Sequence, residues 1–93
     1  MTNNNSISIN YSDEKLCILV EEYITQQKAS FTLKGVCSYI LYWAMEGNHT
    51  LYESYQMTEA DSLRVKRNLE QIVKEGRIAV VADGGDTYLK QES

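Results

Sequence analysis

The stretch RVKRNLEQIVKEGRIAVVADGGDTYLK, residues 64–90, constrains the fold more than any other part of the sequence. Its first half repeats apolar residues at helical spacing and carries cations on the opposite side. Its second half contains two β-prone runs joined through a Gly-Gly pair, a pattern typical of a hairpin. The sequence therefore predicts a helix followed directly by a hairpin, and the other elements have to be arranged around that pair.

Local signals define this helix, which is predicted over residues 58–75. Thr58 and Asp61 have the T-x-x-D spacing of a capping box, with Asp in place of the usual Glu. Gly76 is suited to end the helix. The predicted buried side consists of Val65, Leu69, Ile72 and Val73. The opposite side, at about 100° per residue, consists of Arg64, Arg67, Gln71 and Lys74.

Two further helices are predicted upstream. Ser12 caps a helix over residues 13–27, and Thr32 caps a second helix that ends near Gly47. Between them, Ser30–Thr32 is predicted to be a short strand. The predicted buried residues of the first helix are Leu16, Leu19, Val20, Tyr23 and Ile24. Those of the second are Val36, Tyr39, Ile40, Trp43 and Ala44, with Tyr42 and Met45 off that side.

The N-terminal residues 1–11 are predicted to be a flexible arm ahead of a single domain over residues 12–93. The first residues are polar, whereas Ile7, Ile9 and Tyr11 alternate with polar residues, which permits either a short strand or an ordered arm. A chain of 93 residues is too short for two domains with useful cores. The connection between the second and third helices has no clear period, which leaves an ordered loop or one extra helical turn open.

The predicted order of elements is helix, strand, helix, helix, hairpin. A lone strand near Phe31 has no partner unless the hairpin adds to it, so we predict a small three-stranded antiparallel sheet. Three helices packed on one side of that sheet bury all the predicted apolar sides. The predicted fold class is therefore α+β.

The stretch VKRNLEQIVKEGRI resembles the recurring pattern of the winged helix-turn-helix superfamily. That pattern is an apolar residue, a Leu four positions on, an apolar residue three later, then a Gly and an apolar residue. The matching positions here are Val65, Leu69, Ile72, Gly76 and Ile78. Tyr88 fits the aromatic residue often found on the returning wing strand. The likeness spans about residues 12–90 and implies a three-helix winged helix, the arrangement already reached from periodicity and pairing.

The distribution of charge points to one part of the chain. The net charge is −4, which tells against indiscriminate binding of nucleic acid, because such binding rests on cations that neutralise phosphates. Residues 58–78 nevertheless hold five cations against four anions, while the rest of the chain holds four cations against nine anions. Any anion-binding face must therefore lie on this segment.

In DNA-binding winged helices the third helix enters the major groove, and the resemblance implies the same for the helix over residues 58–75. Arginine donates bidentately to guanine, glutamine pairs with adenine, and lysine holds phosphates. The residues implied to contact DNA are Arg64, Lys66, Arg67, Gln71 and Lys74. The resulting prediction is a transcriptional regulator that binds double-stranded DNA as a homodimer, since two copies double the phosphate contacts. The alternative is that these residues are only the solvated side of an amphipathic helix.

Two features depart from the DNA-binding pattern. The wing tip offers Asp83 and Asp86, which repel phosphate where DNA-binding wings usually carry cations. The connection between the second and third helices is also longer than the tight turn of simple bacterial repressors. The alternative function is a winged-helix module that binds a protein partner through tyrosines, which are enriched at interfaces. The predicted contact residues of that module are Tyr42, Met45, Tyr52 and Tyr55.

The sequence gives no indication of catalysis, metal binding or membrane insertion. His49 has no neighbouring ligands at a suitable spacing, and no Gly-rich phosphate loop lies between a strand and a helix. Cys17 and Cys37 each sit in an apolar helical pattern, as small hydrophobic residues do. Neither a signal peptide nor an apolar run of about 18 residues is found, so we expect a cytoplasmic protein without a cofactor.

Overall fold

The described part of the chain contains three helices and five strands. The computed structural model describes residues 6–45, 55–81 and 85–91. The helices are α1 (Asp13–Gln26), α2 (Leu33–Ala44) and α3 (Glu59–Lys74). The strands are β1 (Ser6–Ile7), β2 (Ser30–Thr32), β3 (Gln56–Met57), β4 (Ile78–Val80) and β5 (Thr87–Lys90).

Three of the strands form an antiparallel sheet in the order β2, β5, β4. Tyr88 on the central strand lies opposite Phe31 on one side and Val80 on the other. The rings of Phe31 and Tyr88 stack with centroids 5.7 Å apart, which ties the upstream strand to the hairpin. The predicted pairing is therefore confirmed, and the fold is the predicted α+β arrangement with a winged-helix-like layout.

The core lies between the three helices and one face of this sheet. The helical side chains with no exposed surface are Leu16, Val20, Val36, Ile40, Val65 and Leu69. Ile78 and Tyr88 close the core from the sheet. Full burial of one aliphatic side chain contributes about 1.5–3 kcal/mol, so this shared interior is the main force that holds the helices to the sheet.

The predicted buried side of α2 is wrong at its C-terminal half. Trp43 is 49% exposed, whereas Leu41, which was not predicted to be buried, is only 3% exposed. The helix is turned towards α3, and the Cys37 Sγ lies 3.8 Å from the Ser62 Oγ on that helix. This rotation moves Trp43 to the boundary with solvent. α2 ends at Ala44, and the predicted stop at Gly47 lies outside the described residues.

Part of the predicted N-terminal arm, residues 6–11, packs against the rest of the fold. β1 pairs in parallel with β3, and the Ile7 carbonyl accepts a hydrogen bond from the Thr58 N–H at 3.3 Å. The Ile9 side chain is 4% exposed and belongs to the hydrophobic core. The packed part of the fold therefore begins before residue 12, because the Ile9 side chain fills the space beside the helices.

The helix ends follow the predicted local chemistry. The N-cap side chains that accept a hydrogen bond from a first-turn amide are Ser12, Thr32 and Thr58. At the end of α3, the Gly76 N–H donates to the Val73 carbonyl at 2.9 Å and the Arg77 N–H donates to the Ile72 carbonyl at 3.3 Å. With a φ of 81° at Gly76, this is a Schellman motif. It sets the angle at which the chain leaves α3 and enters the hairpin.

Candidate nucleic-acid interface

The side of α3 that faces away from the core carries polar side chains without partners. Arg67, Gln71 and Lys74 are exposed, and none of these side chains makes a hydrogen bond or an ion pair within the described ranges. Ala60 and Leu63 continue the same side towards the N-terminus of the helix, and Leu63 is 47% exposed. We call these five residues the α3 outer face. The cations of this face are available to an anionic ligand, whereas its N-terminal end is apolar.

Arg64, another residue predicted to contact DNA, is paired with other parts of the fold. Its Nη2 donates to the Tyr11 carbonyl at 2.7 Å and lies 2.9 Å from the Asp13 Oδ1. Its Nη1 lies 3.0 Å from the Asp61 Oδ1. The guanidinium therefore joins α3 to the start of α1, and each of its three nitrogens has a partner. By helical spacing Arg64 is a neighbour of Gln71, but its guanidinium binds Tyr11 and Asp13.

Asp61 is the anchor of the N-terminal segment. Its carboxylate accepts hydrogen bonds from the Ile9 N–H at 2.8 Å and from the Thr58 hydroxyl at 3.0 Å, and its side chain is 8% exposed. Burial is the largest single effect and raises the pKa of this carboxyl. The hydrogen bonds from Ile9, Arg64 and Thr58 lower it, and their combined effect is larger. The pKa of Asp61 therefore lies below its usual value. Asp61 is therefore an anion in the folded protein at neutral pH.

This arrangement explains why Asp stands where a capping box usually has Glu. The Asp61 N–H donates to the Thr58 Oγ1 at 3.3 Å, as the motif requires. The Asp side chain is one methylene shorter than Glu and does not return to the Thr58 N–H, which donates to Ile7 instead. The shorter carboxylate is thus left to bind the Ile9 amide. The substitution in the motif was the only sequence signal for this contact.

Asp86, the residue immediately before β5, also bears on the interface. The Asp86 Oδ1 lies 3.3 Å from the Lys66 Nζ, and both side chains are substantially exposed. An exposed ion pair is worth less than about 1 kcal/mol, so Lys66 can exchange this partner for a phosphate at little cost. Asp83, the other predicted acid of the wing tip, lies outside the described residues.

A cleft of about 1000 Å³ opens beside the N-terminal part of α3, between α2, β3 and β5. Its walls include Lys34, Cys37 and Asp86. Burial raises the pKa of the Cys37 thiol, and a weak hydrogen bond with Ser62 offsets only part of that effect. A thiol with a raised pKa is a poor nucleophile at neutral pH, so Cys37 is not an activated nucleophile.

Within the residues that the structure describes, no group of three or more His, Cys, Asp or Glu side chains is placed to hold a metal ion. None of the described helices combines the length and the apolar character that crossing a membrane requires. His49 lies outside the described residues.

Comparison of the chain with protein-family models, with curated proteins and with solved structures finds no match. The layout of helices and sheet is therefore established by the structure alone, and functional inference rests on this chain's own residues.

Proposed function

We propose that the protein is a winged-helix transcriptional regulator that binds double-stranded DNA through the α3 outer face. The observation that carries this proposal is the row of unpaired side chains of Arg67, Gln71 and Lys74 on a helix whose other side is buried. The buried side of α3 is fixed by the core, and its outer face is open to a ligand. A helix placed in this way fits a major groove, which is about 12 Å wide.

Each side chain of this row has a distinct task in the proposal. Arg67 donates two parallel hydrogen bonds to guanine or holds a phosphate, and Gln71 pairs with adenine or a phosphate. Lys74 and Lys66 neutralise backbone phosphates, Lys66 after leaving Asp86. Arg64 contacts no base. It positions α3 by fixing its first turns to α1 and to the N-terminal segment.

The proposal includes a homodimer in the cytoplasm. One copy brings only Lys66, Arg67 and Lys74 to the phosphates, and two copies double that number while reading a two-fold site. Cys17 and Cys37 are both free thiols, which is usual in a reducing compartment.

Fluorescence anisotropy of a labelled duplex of random sequence tests the proposal. We expect binding at low salt that weakens as salt rises, and loss of that binding in Arg67→Ala/Lys74→Ala. Lys15→Ala/Lys28→Ala is the matched control, since it removes the same charge from exposed positions outside α3. Equal binding by both double variants, or no binding by the wild type at low salt, would contradict the proposal.

A second candidate function is a protein-binding module, and the acidic side chain at the wing favours it. Asp86 and the net charge of −4 both repel phosphate. The predicted contact residues are only partly exposed: Met45 and Tyr55 pack against the core, Tyr42 is half-buried, and Tyr52 lies outside the described residues. This candidate predicts a complex whose affinity changes little between low and moderate salt.

A further inference from the structure

An apolar side chain sits in the middle of the solvent-facing side of α1. Ile18 is 52% exposed, although a helix of this kind usually places polar residues at such a position. The residues around it line a shallow depression of about 540 Å³. Those lining residues are Glu14, Cys17, Ile18, Glu21, Glu22 and Thr25. We call this set the α1 outer face.

The α1 outer face continues onto α2 through one aromatic residue. The Tyr39 hydroxyl donates to the Glu22 Oε1 at 3.4 Å, and its ring centroid lies 6.3 Å from that of Trp43. Trp43 is 49% exposed. An exposed Ile and an exposed Trp are therefore joined along the surface by a carboxylate and a tyrosine. Large apolar side chains grouped in this way mark interaction surfaces more often than isolated ones do.

The charge of the α1 outer face selects the kind of partner. Arg77 binds Glu21, and its hydrogen bonds lower the pKa of that carboxyl against the opposing effect of burial. Glu14 and Glu22 make no ion pair within the part of the chain that the structure describes. No Lys or Arg lines the depression. Two copies paired through this same face would set these carboxylates against one another, so the complementary partner surface is cationic.

The spacing on α1 defines the partner further. Glu14, Ile18 and Glu22 are four residues apart in succession, which places them in one row with the two carboxylates roughly 12 Å apart along the helix. A partner helix that carries an apolar residue with a cation four positions before and four after it matches this row. Trp43 then covers the side of the docked helix.

We propose that the α1 outer face and Trp43 dock a basic amphipathic helix of another protein. An apolar residue of that helix packs on Ile18, and its Arg or Lys side chains pair with Glu14 and Glu22. This surface shares no residue with the α3 outer face. The proposal therefore holds or fails independently of DNA binding.

A synthetic helical peptide tests the proposal. The probe is an Ala/Gln-based peptide with Leu at its centre and Arg four positions before and after it, and the control peptide has the same composition with the Arg residues moved to the other side. Trp43 is the only tryptophan of the chain, so its emission reports docking directly. We expect the probe to shift Trp43 emission to shorter wavelength and the control peptide to have a much smaller effect.

Variants of the protein locate the contact. Glu14→Gln/Glu22→Gln and Ile18→Ala should each weaken binding of the probe about fivefold or more. Glu59→Gln/Glu70→Gln, which removes the same charge from exposed positions on α3, should leave it unchanged. The proposal is overturned if the probe does not bind, if both peptides bind equally, or if the α1 and α3 variants behave alike.

Discussion

Asp61 is the residue on which the N-terminal half of the candidate interface depends. It takes a hydrogen bond from Ile9 in the N-terminal segment, and it binds Thr58 and Arg64 at the start of its own helix. Asp61→Asn keeps the size of the side chain but removes its charge, and it leaves the Arg64 guanidinium facing an amide. We expect the free energy of unfolding at pH 7 to fall by about 2 kcal/mol, measured by urea denaturation. Asp13→Asn, at a mostly exposed carboxylate that also pairs with Arg64, should cost much less.

The pH dependence of stability gives a second test of Asp61. Its pKa is depressed in the folded state, so its contribution is present above the unfolded value of about 3.9 and is lost as pH falls through the folded pKa. We therefore expect the stability difference between wild type and Asp61→Asn to be constant near neutrality and to shrink below about pH 4. A difference that stays the same down to pH 2 would show that the carboxylate is not the cause.

The element ahead of α1 is a part of the core, and two isoleucines provide a matched comparison. Ile9 is 4% exposed and Ile18 is 52% exposed. Ile9→Ala should lower the free energy of unfolding by about 2–4 kcal/mol because it leaves a cavity, whereas Ile18→Ala should change it by less than about 0.5 kcal/mol. Thermal and urea unfolding measure both. Equal losses would mean that residues 6–11 do not pack as described.

Helix caps and strand pairing were predictable from the sequence because their signals are local. Ser12 and Thr58 bind amides three residues away, and Gly76 ends α3 through its own backbone conformation. Two of the partners of Arg64 were not predictable, since Tyr11 and Asp13 are more than 50 residues away along the chain. Helical spacing predicts the side of the helix on which a side chain lies. It does not predict which residues of other elements that side chain contacts.

At the scale of the whole molecule, charge separates the α1 and α3 sides. The chain carries a net −4, yet among the described residues α3 exposes cations without an ion-pair partner and α1 exposes carboxylates without one. For the proposed DNA complex, the slope of log affinity against log salt counts the phosphates engaged, at about −0.9 for each. We expect a slope of about −3 for one copy with Lys66, Arg67 and Lys74 engaged, and about −5 for a dimer. A slope near zero would rule out either complex, and light scattering on the same sample counts the copies.

The hydrogen bond between Ile9 and Asp61 joins residues 52 positions apart. Closing so long a loop costs chain entropy before any contact repays it, so this junction is expected to form late in folding, after the helices have come together. In the native state the same junction can open without unfolding the sheet, because β1 is only two residues long and pairs with a strand of the same length. The Ile9 amide proton is then the natural reporter of that local opening in hydrogen exchange. Its exchange rate measures how often the hydrogen bond between Ile9 and Asp61 opens.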